Sequence, residues 1–269
     1  MASDFTQRDH LLEYLTAIYT KPANKHIKNA PTLRLPVLAE HPLIRPINSL
    51  ILEALYAQAV FGCDVRSLTR QLIADDDIRQ AIATLVRSPH DIAVLSTYAV
   101  NTLYIADRFY FGSDVLDPQD ILSHAELLDM SDPEQRLLYF YYVTHCVIGE
   151  SLFYSRPLPK QHLAVYTAAL RKLDAVLMSD AFEDLHLDIK FEVLVCAKMC
   201  GIRLASTDNI YQQALQSLSP QGDFIIDTAG AQAQTGYATL SSAEHRNVLF
   251  LMSCVEYAPA SPLTGVQSI

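Results

Sequence analysis

The chain has 269 residues, 50% of them hydrophobic and 19% charged, which supplies a sizeable core and excludes a disordered polymer. Its net charge of −10, with no clustered Lys/Arg, excludes a nucleic-acid or anionic-membrane surface, since phosphate binding needs local positive charge. Five cysteines without framework spacing, no basic-then-apolar leader at the start and no apolar run of about 18 residues lead to the expectation of a soluble, cytoplasmic protein.

The first predicted helix, Gln7 to Tyr19, has Thr6 and Asp9 as a capping-box-like start and Leu11, Leu12, Leu15 and Ile18 as its apolar face. Thr20 to Pro36, rich in Pro and Asn and containing the densest basic stretch, reads as a linker, followed by a short turn at Leu38 to Pro42. An apolar helix then starts at Pro46 and closes at Gly62, the residue type that tolerates the left-handed backbone just past a helix end. Val65 to Ala74 and Asp77 to Arg87 are amphipathic. A single long apolar helix follows Ser88-Pro89 and ends at Gly112, and Pro118 to Met130 is a short amphipathic one.

The element around which the chain is organised is Glu134 to Tyr154, started by Ser131-Asp132-Pro133 and uncharged from Leu137 to Gly149 apart from the titratable His145. A helix apolar nearly all round is buried on most of its surface. Beyond it, Pro159 to Ser179 reads as solvent-facing, Leu185 to Cys200 is apolar and stops at Gly201, and Thr207 to Leu218 is amphipathic. Ser219 to Thr239 lacks helical periodicity, with Phe224 to Ile226 a candidate extended segment and Gln221 to Thr239 either a lid or a connector. Ser241 and Glu244 form a capping box for the last apolar helix, to about Val255.

Apolar helices thus begin near residues 46, 90, 134, 185 and 241, each preceded by more amphipathic material. Recurrence at 40–50 residues is the mark of helical-hairpin repeats, in which neighbours bury the apolar face that one hairpin cannot bury alone. The expectation is an all-α fold of five helical hairpins, forming an α/α toroid or a tightly curved α-solenoid around a central pocket. The scarcity of charge on the inner helices favours the closed ring. One repeat domain is expected, with a core at 44–257, an N-terminal helix and linker at 1–43 and a tail at 258–269.

Polar groups embedded in the inner helices are the candidate chemistry, because burying one without a partner costs about 1–3 kcal/mol. His145 sits in the third inner helix. Asp188, Glu192, Cys196 and Cys200 succeed one another at four-residue steps along the fourth, and Glu244-His245 opens the fifth. His145 to Cys196 is 51 residues and Cys196 to His245 is 49, so these groups could share a height on consecutive helices. One reading is a metal site of Cys196, His145 and His245, with zinc suited by His, Cys and carboxylate and non-haem iron by two His with Glu192. A second is metal-free acid–base catalysis by His145, with Glu192 or Asp188 as orienter and His245 nearby. The bland counterpart of both is core packing by Cys and a structural His–carboxylate pair. Tyr98, Asn101, Thr102 and Tyr142 are candidate substrate-binding groups, or helix–helix hydrogen bonds in the core. Motifs for phosphate-binding loops, dinucleotide binding, the nucleophile elbow and helical zinc proteases are absent.

This layout resembles the α/α-toroid proteins: terpene cyclases, protein prenyltransferase β-subunits and lanthipeptide cyclases. The order Asp188, Cys196, His245 looks like the zinc-ligand order of the prenyltransferases, without their Asp-x-Cys spacing. The Cys-His pair of lanthipeptide cyclases is reversed in His145-Cys146, and the aspartate-rich motifs of terpene cyclases have no counterpart on an inner helix. Tyr141 to His145 is also similar to a segment of small bacterial helical proteins from natural-product or modified-peptide pathways. The resemblance implies binding or processing of a small molecule or modified peptide, with lyase-, cyclase- or hydrolase-like chemistry. The alternative is a non-catalytic repeat scaffold that binds a partner protein or peptide along its concave face.

Overall fold

The computed structural model describes residues 2–20, 32–226 and 240–256, with side chains from residue 9 in the first stretch and from residue 243 in the last. These residues are all-α, with one isolated bridge between Leu218 and Ile225. No helix among them is long and apolar enough to cross a membrane. The chain divides into two compact units, one running to Arg156 and the other starting at Pro157.

The first unit contains α1 (Ala2–Tyr19), α2 (Arg34–Glu40), α3 (Ile44–Phe61), α4 (Arg66–Leu72), α5 (Asp75–Leu85), α6 (Pro89–Leu95), α7 (Thr97–Ile105), α8 (Pro118–Ser123) and α9 (Pro133–Glu150). Three of these starts share one device. Ser88, Asp117 and Asp132 each accept a backbone N–H of the first turn through the side chain, and a proline follows at the first helical position, where its missing N–H costs nothing. At the other ends, Gly62 and Gly112 adopt φ of +69° and +62°, as expected of residues just past a helix. α7 lies between α3 and α9, so the apolar helices pack side by side within this unit, with α1 and α4 against α3. The α7–α9 approach is close: a Cβ on Gly149 would stand 2.8 Å from Tyr104 Cβ.

Several boundaries differ from the sequence expectation, each for a local physical reason. The first helix starts at Ala2, which places Thr6 inside it and not at its cap. Part of the supposed linker is helical: α2 begins at Arg34, and Glu134 on α9 accepts the Leu33 N–H at 3.1 Å and the Thr32 hydroxyl at 3.0 Å. The long apolar helix from Pro89 is broken at Ser96, where φ is +48°; the buried Ser96 hydroxyl donates to the Leu138 carbonyl of α9 at 3.1 Å. The same run ends in a π-helical turn, Ala106–Tyr110, closed by the Phe111 N–H on the Ala106 carbonyl at 2.8 Å. α9 stops at Glu150, not Tyr154, because Leu152, Phe153 and Tyr154 all turn left-handed and Phe153 N–H reaches back to the Ile148 carbonyl at 2.9 Å.

The second unit holds α10 (Leu163–Leu177), α11 (Leu187–Met199), α12 (Thr207–Gln216) and α13 (Leu240–Cys254). α11 is buried nearly all round and packs against α13, with the Phe191 and Phe250 rings 5.5 Å apart. α10, read from sequence as solvent-facing, buries one face through Tyr166, Leu170, Leu173 and Leu177. Asn247 on α13 ties down the turn at 217–226 by accepting the Ile225 N–H at 2.8 Å and donating to its carbonyl at 3.1 Å. The side chain of Ser241, half of the expected capping box, most of the proposed lid (227–239) and the C-terminal tail lie outside the described residues.

Candidate functional site

In the first unit α9 carries Tyr141 and His145 four residues apart, and the neighbouring α7 carries Tyr98, Asn101 and Thr102. His145 Nδ1 lies 2.8 Å from Asn101 Oδ1. An amide oxygen can only accept, so Nδ1 donates, and a neutral imidazole held this way carries its lone pair on Nε2. Asn101 is 5% exposed, and a buried amide fixes ring orientation more firmly than one in water. Rings flank the imidazole on two sides, with Tyr141 and Phe153 each 6.4 Å away. Phe153 belongs to the left-handed triplet after α9, a conformation that costs about 1–3 kcal/mol per residue and tends to persist at functional sites. Two of the expected binding groups use their hydroxyls on backbone: Thr102 donates to the Tyr98 carbonyl at 2.7 Å and Tyr142 to the Ile121 carbonyl at 2.8 Å. Burial pushes the Tyr142 phenol well above its usual range, and Cys146 beside it likewise stays a thiol.

A residue that sequence reasoning left in the linker joins this face. Arg34, the first residue of α2, is 9% exposed, lies over the Tyr98 ring at 5.2 Å and donates through Nε to the Val94 carbonyl at 3.4 Å. Burial pulls its pKa below the usual arginine value, while the Tyr98 and Tyr141 oxygens work the other way. Among the described residues no carboxylate faces it. A buried cation without a counter-ion carries a desolvation cost of several kcal/mol, so its neighbourhood favours an anion. The signal in the sequence was the three- to four-residue spacing of Arg34, Val37 and His41. That spacing puts them on one helical side, and His41 Nε2 meets Asp91 Oδ2 of α6 at 3.0 Å.

The other sequence candidates belong to the second unit. Asp188 Oδ1 pairs with Arg246 Nε of α13 at 2.7 Å, off the line of a good hydrogen bond. Glu192 and Cys196 are buried in α11, burial pushes the Cys200 thiol up to about 12, and His245 is exposed on α13. His145 lies in the first unit, whereas Asp188, Glu192, Cys196 and His245 lie in the second. No group of three His, Cys, Asp or Glu side chains among the described residues is placed to hold a metal ion. Asp188, one of two expected orienters of His145, has a guanidinium partner on its neighbouring helix.

A charged cluster missed by the sequence reading sits at the π-helical turn. Arg108 donates to Asp107 at 2.8 Å, to Asp114 at 2.6 Å and to the Leu116 carbonyl at 2.7 Å, and its Nε stands 3.2 Å from Glu150. Asp107 in turn accepts the Ser113 hydroxyl and the N–H groups of Val115 and Leu116. Burial works to raise the Asp107 carboxyl, but these donors and Arg108 hold it below the ordinary carboxylate range. These contacts fasten the 112–117 loop to α9. Its signal was the Asp-Arg pair inside an otherwise apolar run. The chain matches no family model, no curated protein and no solved structure at a meaningful level of similarity.

Proposed function

We propose that this chain binds and processes a small molecule or modified peptide at the α2–α7–α9 face of the first unit, with His145 moving the proton. The observation that carries the reading is the 2.8 Å contact from His145 to Asn101 across two helices. It selects one imidazole tautomer and fixes the ring that is proposed to pass the proton. Asn101 acts on the ligand only through His145 and is a positioning residue. Arg34, a buried cation with no facing carboxylate among the described residues, supports a ligand that carries an acidic group, which a guanidinium can bind through two parallel N–H bonds. An α/α-toroid arrangement belongs to the same reading, supported by α3, α7 and α9 lying in succession as inner helices do.

The test follows the His145 ring nitrogens by NMR in the full chain, assigned with His145→Gln, during titration with phenylacetate and phenylacetamide. Phenylacetate is expected to shift the His145 resonances, and Arg34→Leu to weaken that binding about tenfold or more, the worth of a charge-assisted hydrogen bond. Asn101→Leu is expected to mix the two tautomers. The reading is lost if neither probe moves the His145 signals at millimolar concentration, or if the tautomer is indifferent to Asn101.

A further inference from the structure

We infer that the first unit contains a second ligand site, on the opposite side of α2, built to take an uncharged and mainly apolar molecule through one carbonyl oxygen. Between α1, α2 and α3 lies a cavity of about 760 Å³, within the range that holds a small organic ligand. Ile18, Leu38 and Leu52 contribute much of its apolar wall. α2 divides the two sites. Arg34 and Val37 turn into the core, whereas Leu35 and Leu38 line the cavity.

Asn48 of α3 is the second, independent observation. It lines the cavity, is 5% exposed, and its Nδ2 meets no acceptor among the described residues. Its helical neighbours Ile44, Ile47 and Ile51 are fully buried hydrophobes, so a leucine would suit the packing without leaving a donor orphaned. A donor in that position is satisfied by an acceptor brought from outside the chain. The charge at the cavity points to a neutral one. Arg45 and Glu53, one of each sign, both line it, and the Tyr14 hydroxyl donates to Glu53 at 3.3 Å, leaving no net field to select an ion. A ketone, ester or amide carbonyl on an apolar body fits these demands. A single trapped water would also satisfy Nδ2, and it predicts a different outcome below.

The experiment uses the full chain labelled with ¹⁵N and reads the Asn48 side-chain amide, identified by its loss in Asn48→Leu. The probes are 4-phenylbutan-2-one, its hydrocarbon counterpart butylbenzene and the acid 4-phenylbutanoate. The ketone is expected to shift the Asn48 amide signals and to bind about tenfold more tightly than the hydrocarbon, the worth of one hydrogen bond to an otherwise unsatisfied donor. Asn48→Leu, checked for retained helicity, should abolish that preference while still binding butylbenzene, and the His145 ring signals should not respond to the ketone. Equal affinity for ketone and hydrocarbon would mean a water-filled cavity. Preference for the acid would mean an anion site, and a silent Asn48 amide at millimolar ketone would mean no site. Any of these three overturns the inference.

Discussion

Both units bury polar groups between apolar helices, but they treat them differently. In the second unit several buried polar groups are answered within the chain. Asp174 accepts the Ser206 hydroxyl at 2.7 Å and the Ala205 N–H at 2.9 Å. Lys190, fully buried, donates to Gln213 at 2.7 Å and lies 3.6 Å from the Phe182 ring centroid. Lys198 caps the C-terminal carbonyls of α13, bonding Ser253 at 2.7 Å. In the first unit the Asp107–Arg108–Glu150 cluster is likewise paired, yet among the described residues Arg34 faces no carboxylate and Asn48 keeps an orphan donor. An unsatisfied buried group costs about 1–3 kcal/mol and more when charged, so each one that a fold tolerates calls for an explanation. That difference is the ground for placing both proposed sites in the first unit, while on α11 Lys190 and Asp188 pair with residues of neighbouring helices.

Removing a partner from a complete network should do the greatest damage. Arg108→Leu removes the cation shared by two buried carboxylates and is expected to destabilise the first unit by about 3–5 kcal/mol, read as a lowered first-unit transition by calorimetry. A loss below about 1 kcal/mol would mean that the network does not hold the 112–117 loop. Gly149→Ala should come next, at about 1–3 kcal/mol, because the new methyl meets Tyr104 Cβ at 2.8 Å and α7 and α9 must part. A chemical denaturation midpoint unchanged from the native chain would show that this crossing has slack.

The sharpest contrast comes from two conservative exchanges of opposite sign. Asn48→Leu removes an orphan donor and should stabilise by about 1 kcal/mol, whereas Lys190→Met leaves Gln213 without its donor and should cost about 1–2 kcal/mol. If both shift the melting temperature downward, Asn48 has a partner and the distinction between the units fails.

The smallest effect is a pH dependence. Burial tends to raise the Asp174 carboxyl, but the Ser206 and Ala205 N–H groups, the Ser206 hydroxyl and Arg171 hold it below its ordinary value. A carboxyl lowered in the folded state contributes stability that is present above the unfolded value, about 3.9, and fades as pH falls through the lower folded value. Stability of the second unit should therefore fall below about pH 4, with a shallower acid slope in Asp174→Asn. An unchanged slope would remove Asp174 from the acid response.

Part of the site was legible in advance and part was not. His145 and Asn101 stood out as polar residues in apolar helices, and placing those helices side by side brought them together. Arg34 was hidden because its neighbourhood is rich in Pro and Asn, and seven residues of α2 offer too little periodicity to announce a helix. Asn48 was passed over as one polar letter in an apolar run; only the cavity beside it gives it meaning. Asp188 looked like a partner for His145, but its four-residue spacing to Glu192 says nothing about which neighbouring helix it faces. Arg246 supplies that answer.

By itself the sequence determined the all-α class, the starts of α6, α8 and α9 from their Ser/Asp-Pro caps, and the stops at Gly62, Gly112 and Gly201. These depend on interactions within a few residues: a side-chain cap, a proline ring, a left-handed glycine. The tertiary structure alone decided the break at Ser96, the π-helical turn at Ala106–Tyr110 and the early end of α9. It also decided which buried polar groups found partners. Ser96 bends where a carbonyl of another helix accepts its hydroxyl, and Asp107 and Arg108 are tolerated because a loop and Glu150 close around them. Leu138 and Glu150 lie 42 residues from the groups they answer, where helical periodicity carries no information.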